Sequence, residues 1–286
     1  MRYAFRMFGP YVKNIVDFFP DIKKDLKKAN LKYSVEEYIS LAIFTTLIVF
    51  VAEMPIFSFI YGILFEDFLF SFVFSFTTSG AIAMLFLYLF SQYPKLVAKQ
   101  RASNIDDVLP FAIIHFTTIL KSKIPLHEAI KILSQFKIYK EFWKEISLLS
   151  RDIFFFGLDV ATSLERATER CPSKKMTEVL WGILSNFRAG TDIVKYLEQK
   201  SRELMEDYRR RLYEFAHTLS IYIEVYLTAI VIGSIFFIIL TAIFTSISGV
   251  GQDVILLQFL LIFALIPAIS MIFMLMVKKA APGGEV

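Results

Sequence analysis

Four apolar runs, at 39–64, 68–91, 221–247 and 254–277, each exceed the roughly 20 residues a helix needs to cross a hydrocarbon core. A backbone in lipid must satisfy its own polar groups, so each run is expected to span as a helix. The chain is 56% hydrophobic while 20% of its residues are charged, and the two kinds are kept apart. Residues 92–220 are an ordinary charged, helix-patterned sequence. The fold class read from this is an all-α integral membrane protein, with four transmembrane helices in two hairpins flanking a cytoplasmic bundle of about six helices. Its expected divisions are an amphipathic N-terminal segment (1–38), hairpin one (39–91), the helical domain (92–220), hairpin two (221–277) and a tail (278–286).

Orientation follows from the cations. Residues 1–38 carry eight Lys or Arg, residues 92–220 carry 21 and the tail carries Lys278 and Lys279, which accounts for all 31. The short connections around Glu66–Asp67 and Ser248–Asp253 have none. Positive residues stay cytoplasmic, so both termini and the large central segment are expected inside, in a multi-pass protein of the cell membrane. The net charge of +4 is then a product of topology and argues for no nucleic-acid partner. The single cysteine, Cys171, cannot form an intrachain disulfide and reads as a reduced, packed thiol. Residues 1–38 are never apolar for long enough to make a signal peptide, so the first span is expected to direct insertion.

Within 1–38, Phe5, Phe8, Tyr11, Val12, Ile15, Phe18 and Phe19 recur at spacings of three and four. Such a stripe suits either the membrane surface or the central domain, and the Lys23–Lys28 cluster suits an anionic leaflet. In the central domain, helices are expected from Asn104 to about Leu120, from Pro125 to about Phe136, over 140–156, from Asp159 to Cys171, from Ser173 to Gly190, and from Asp192 onward. The last shows no breaker through Arg211 and reads as continuous with the third span. An internal echo supports the parsing. Gly157-Leu-Asp-Val-Ala-Thr-Ser-Leu164 resembles Gly190-Thr-Asp-Ile-Val-Lys-Tyr-Leu197, with a weaker copy at Lys123-Ile-Pro-Leu-His-Glu-Ala-Ile130. The grammar is a helix stop followed by a helix start: Gly ends one helix in a left-handed cap, and Asp or Pro opens the next.

No catalytic constellation emerges, and no enzymatic activity or cofactor is expected. His115, His127 and His217 lie on separate helices, Asp106-Asp107 reads as helix capping, and no Gly-rich phosphate loop with a Lys is present. Glu224 is near the end of a span and can reach the interface. Glu53 is harder to place: it lies midway in 39–64, before Met54-Pro55, where a buried carboxylate is expensive. A structural carboxyl and an ion-translocating one both remain open. Ser75, Ser79 and Ala83 share a face, as do Ala229 and Gly233, and small residues allow close helix approach in lipid. Arg209, Arg210 and Arg211 read as a topological anchor or a partner-docking patch.

Leu109-Pro110, Ile124-Pro-Leu-His-Glu-Ala-Ile130, Gly157-Leu-Asp and Ala189-Gly190-Thr-Asp-Ile, ahead of a helix entering the membrane, together resemble the F domain of type II secretion and type IV pilus platform proteins. The resemblance covers roughly 92–245, and the flanking spans are similar to tight-adherence and archaeal pilus or archaellum versions. Where the family often has Ser-Gly, this chain has Ser122-Lys123, and it has one F domain where many members have two. The resemblance implies a non-enzymatic platform, engaged by a cytoplasmic assembly ATPase and helping to lift pilin-like subunits from the bilayer. It also implies a second copy, or a similar F-domain chain, to complete the platform. Pro125, Gly157, Asp159, Gly190 and Asp192 become structural or coupling candidates, with Glu53 and Arg209–Arg211. The rival reading is a small transporter or channel subunit, which needs polar residues converging mid-membrane from several spans. An intramembrane enzyme would need a nucleophile–base or metal set.

Overall fold

The computed structural model describes residues 20–65, 67–248, 259, 263 and 266–280. The stripe Phe5–Phe19 and most of 254–265 lie outside the described residues. Every regular element among those described is helical. The chain divides into two compact units, Met1–Glu198 and Gln199–Val286.

The first unit opens with α1 (Pro20–Ala29), α2 (Val35–Leu64) and α3 (Phe68–Lys121). Ser34 starts α2 through a capping box: its Oγ accepts from the Glu37 N–H, and the Glu37 carboxylate accepts from the Ser34 N–H. Both α2 and α3 are long and apolar enough to cross a membrane. They form an antiparallel hairpin. Ser71 Oγ donates to the Tyr61 carbonyl at 3.1 Å, the Phe50 and Phe76 rings lie 5.6 Å apart, and Tyr38 Oη donates to the Phe90 carbonyl at 2.7 Å. The face α3 buries is Ser71, Ser75, Ser79 and Ala83, the expected small-residue face extended by one turn.

The second span and the first helix of the central domain are one element. α3 runs for 54 residues, about 80 Å at 1.5 Å per residue, and does not restart at Asn104. Pro94 and Pro110 each remove a backbone hydrogen bond, but both are buried in packed surroundings and no glycine occurs between 81 and 121 to release the chain. Asp106-Asp107 therefore caps nothing. Asp106 accepts a hydrogen bond from Ser173 Oγ instead.

Beyond Lys121 come α4 (Leu126–Leu133), a 3₁₀ turn (Lys137–Tyr139), α5 (Lys140–Phe154), α6 (Val160–Arg170) and α7 (Lys174–Ala189). The expected stop–start junctions are present. Lys123, Gly157 and Gly190 have φ of +61°, +65° and +66°, each two residues ahead of the residue that opens the next helix: Pro125, Asp159 and Asp192. Apolar faces of α3 to α7 enclose one core around Phe116, Phe142, Leu149, Leu164 and Met176, leaving a void of only about 10 Å³. Gly182 on α7 lets the Tyr196 ring tip come close, and a Cβ there would oblige that ring to move. α1 packs Ile22 and Leu26 against Tyr38 and Phe90, and Lys27 reaches Glu169 of α6 at 3.4 Å. Residues 20–29 of the N-terminal segment thus lie on protein.

α8 (Ile193–Leu227) is unbroken over 35 residues, and a π turn (Thr228–Ile232) leads into α9 (Gly233–Ser248). The apolar stretch within Ile193–Ile243 is a third candidate span. Of the fourth run, the described part is α10 (Ile266–Ala280), a shorter apolar helix. In this second unit the Tyr226 ring stacks on Phe273 at 4.5 Å, and the Tyr226 and Ser270 hydroxyls are 3.0 Å apart. Ala229, within the π turn, and Gly233, just after it, are exposed within the chain.

Candidate functional site

The buried face of α5 reads Phe142, Glu145, Ile146, Leu149, Asp152, so two carboxylates stand among core residues. Two guanidiniums answer them. Arg101 of α3 donates Nε to Glu141 at 2.8 Å and Nη2 to Glu145 at 2.9 Å. Its Nη1 donates to the Lys28 carbonyl at the end of α1. Arg170, closing α6, donates to Glu145 at 3.1 Å and Asp152 at 2.7 Å. Glu145 is 3% exposed and Arg101 8%. Burying such charges is costly unless every one is paired, and bidentate guanidinium geometry supplies the pairing. Burial pushes the Glu141 carboxyl up, but hydrogen bonds from Lys144 and Arg101 outweigh it and hold it below the usual range. The network ties α1, α3, α5 and α6 into one body and presents no open face to a substrate.

The junction residues each do local work. Asp159 accepts from the Ala161 N–H at 3.0 Å, and Asp192 accepts from Val194 and Lys195 at 2.9 and 3.3 Å. Pro125 opens α4, while Gly157 and Gly190 take the left-handed conformation that ends α5 and α7. Ser173 accepts from the Met176 N–H and donates to Asp106, joining α7 to α3. Beside it Cys171 is buried, and that burial pushes its thiol up to about 11. Arg210 pairs with Asp207 at 2.7 Å along α8, Arg211 lies over the Tyr208 ring, and Arg209 is exposed. Glu53 is in the α2–α3 hairpin. Its Oε2 is buried without a hydrogen-bond partner among the described residues, as are Thr46 Oγ1 and Ser79 Oγ. The candidates thus form three helix junctions, a hairpin carboxylate and an arginine row, not one constellation.

The Arg101–Glu145–Arg170–Asp152 network is the element that sequence reasoning missed. Its signal was present: Glu145 and Asp152 are seven apart, on the same helical face as Phe142, Ile146 and Leu149. Charges repeated on an apolar stripe call for partners of opposite sign.

The described residues thus combine long apolar helices with a domain built from capped helix junctions. Residues 112–241 match the family described as protein F of the type II secretion system. It is also 28% identical, over 195 residues, to an uncharacterized protein of Methanocaldococcus jannaschii. That alignment covers 66% of this chain and 33% of the relative, so the chain spans about a third of the relative's length. No solved structure matches it significantly.

Proposed function

We propose that this chain is the membrane platform of a type IV pilus-like or type II secretion-like filament assembly machine. In this reading it couples a cytoplasmic assembly ATPase to the insertion of pilin-like subunits, without enzymatic activity of its own, in company with a second copy or a similar F-domain chain. Both termini and residues 92–220 are cytoplasmic, and the four apolar runs form two hairpins. The observation that carries the reading is the family match over 112–241, which takes in the whole of α8, a helix without Gly or Pro from Ile193 to Leu227. A helix continuous from a charged domain into an apolar run can transmit displacement, whereas a flexible joint would dissipate it. Glu53 is the feature that favours the transporter reading, but no ion pair to it is present among the described residues, and a single carboxylate is weak support for a translocation path.

Replacing Glu206 and Asp207 by glycine costs about 1 kcal/mol each in helix propensity. It should impair filament assembly while insertion and ATPase binding persist. Assembly at the normal rate would remove rod-like coupling from the mechanism. External labelling of a cysteine placed at Lys137 in intact cells would overturn the topology.

A further inference from the structure

Where the α2–α3 hairpin meets its charged flanks, the structure holds an open apolar cavity of about 470 Å³, within the range of small-molecule sites. Leu31, Tyr33 and Leu41 line one side; Phe86, Leu89 and Tyr93 are among those lining the other. Tyr38, also in its wall, is committed to the Phe90 carbonyl, so it braces the cavity and offers it no free hydroxyl. Tyr33 and Tyr93 are exposed and stand just outside the apolar runs 39–64 and 68–91, where amphipathic rings mark a membrane–water boundary. Exposed lysines neighbour these lining residues in sequence: Lys32 lies between Leu31 and Tyr33, and Lys95 follows Tyr93 by two positions. Neither makes an ion pair among the described residues. Of the nearby acids, Glu37 is occupied by the capping box and Glu36 is half-buried.

We propose that this cavity binds one acyl chain of an anionic phospholipid, with Lys32 and Lys95 holding its headgroup phosphate. An apolar slot opening at the depth of the headgroups, with two exposed lysines that have no ion pair among the described residues next to its lining in sequence, suits a ligand with a hydrocarbon tail and a negative head. A neutral tail binder would leave the lysines without a role, and a soluble anion would leave the slot unfilled. The inference rests on the placement of α2 and α3 as membrane spans.

The test uses the full chain in bilayers, with Trp143 and Trp181 replaced by Phe, and acyl-dibrominated phosphatidylglycerol or phosphatidylcholine as quencher. Leu41→Trp reports on the cavity. Val51→Trp, on the exposed side of α2, reports on bulk lipid. At Leu41→Trp the anionic lipid should quench at roughly fivefold lower mole fraction per lysine engaged. That preference should fall to about one when Lys32→Gln and Lys95→Gln are combined. Val51→Trp should not distinguish the lipids. Equal quenching at Leu41→Trp overturns the site. So does absence of quenching there while Val51→Trp is quenched, which would mean protein fills the slot, with the stripe Phe5–Phe19 the segment to delete next. Val51→Trp unquenched by either lipid would overturn the membrane placement instead. Should Leu41→Trp fail to insert, native mass spectrometry of the unaltered chain decides: an anionic lipid retained through detergent exchange, and lost with the paired lysine exchanges, supports the site, and no retained lipid overturns it.

Discussion

The two halves of α3 bury opposite kinds of residue. Along 68–91 the buried positions are Ser71, Ser75, Ser79 and Ala83, while Phe68, Leu69 and Met84 are exposed. From Ala98 onward the buried positions include the large side chains Arg101, Ile105, Leu109, Ile113 and Phe116, while Lys99 and Gln100 are exposed. One helix thus obeys two rules. In water, removing large apolar side chains from solvent drives packing. Lipid is as apolar as leucine, so that drive is absent, and close backbone approach through small residues takes its place. The rule inverts between Ser91 and Ala98, where Pro94 and Lys95 also fall.

The sharpest test of that contrast removes a polar group from each half. Arg101→Ala leaves Glu145 buried without one of its two guanidinium partners, and Glu141 loses a donor as well. Breaking a buried pair this way costs about 3–5 kcal/mol. Denaturant unfolding followed by Trp143 fluorescence should show it, because Trp143 sits on the same helix as both carboxylates. Ser75→Ala in the other half removes a hydroxyl that only returns to its own helix, at the Ser71 carbonyl, so it should cost under about 1 kcal/mol. Comparable losses would mean the two halves are not governed differently.

The reverse exchange, small to large, should hurt the membrane half. Ser79 is fully buried on the face that meets α2, and Ser79→Leu adds bulk where only a small side chain fits. Overpacking of this kind costs about 1–3 kcal/mol. Thermal unfolding in detergent, with Met84→Leu on the exposed side as control, measures it. If Ser79→Leu is as silent as Met84→Leu, the hairpin does not depend on close approach.

Much of this architecture was legible before any coordinates. The apolar runs showed through their length, the small-residue face through its spacing of four, and the junctions at Gly157 and Gly190 through a glycine followed two residues later by an aspartate. What was illegible depended on partners distant in sequence. Asp106 has the neighbours of a helix cap, yet Ser173 is 67 residues away and claims it. The helix start expected at Asn104 failed for a related reason: local cap chemistry competes with packing, and Ile105 and Leu109, fully buried, hold the helix straight through. The partner-less Oε2 of Glu53 was foreshadowed only as an expensive carboxylate in an apolar run.

The smallest effect lies at the junctions, where one of the three departs from the others. Gly157 and Gly190 reach φ near +65° without strain, and a Cβ built at either meets nothing within 4 Å. Ala at these positions should therefore cost about 1 kcal/mol from backbone preference alone. Lys123 holds φ of +61° with a side chain attached. An L-residue in the left-handed region gives up roughly 1–2 kcal/mol, and glycine's extra freedom in the unfolded chain takes back part of that. Lys123→Gly should accordingly stabilise the central domain by about 1 kcal/mol, a rise readable in the same denaturant titration that reports on Arg101. Gly157→Ala, measured alongside, should move the midpoint the other way by a similar amount. If Lys123→Gly is neutral or destabilising while Gly157→Ala behaves as stated, the backbone account is intact and the lysine side chain itself must be stabilising the first junction by at least the strain relieved.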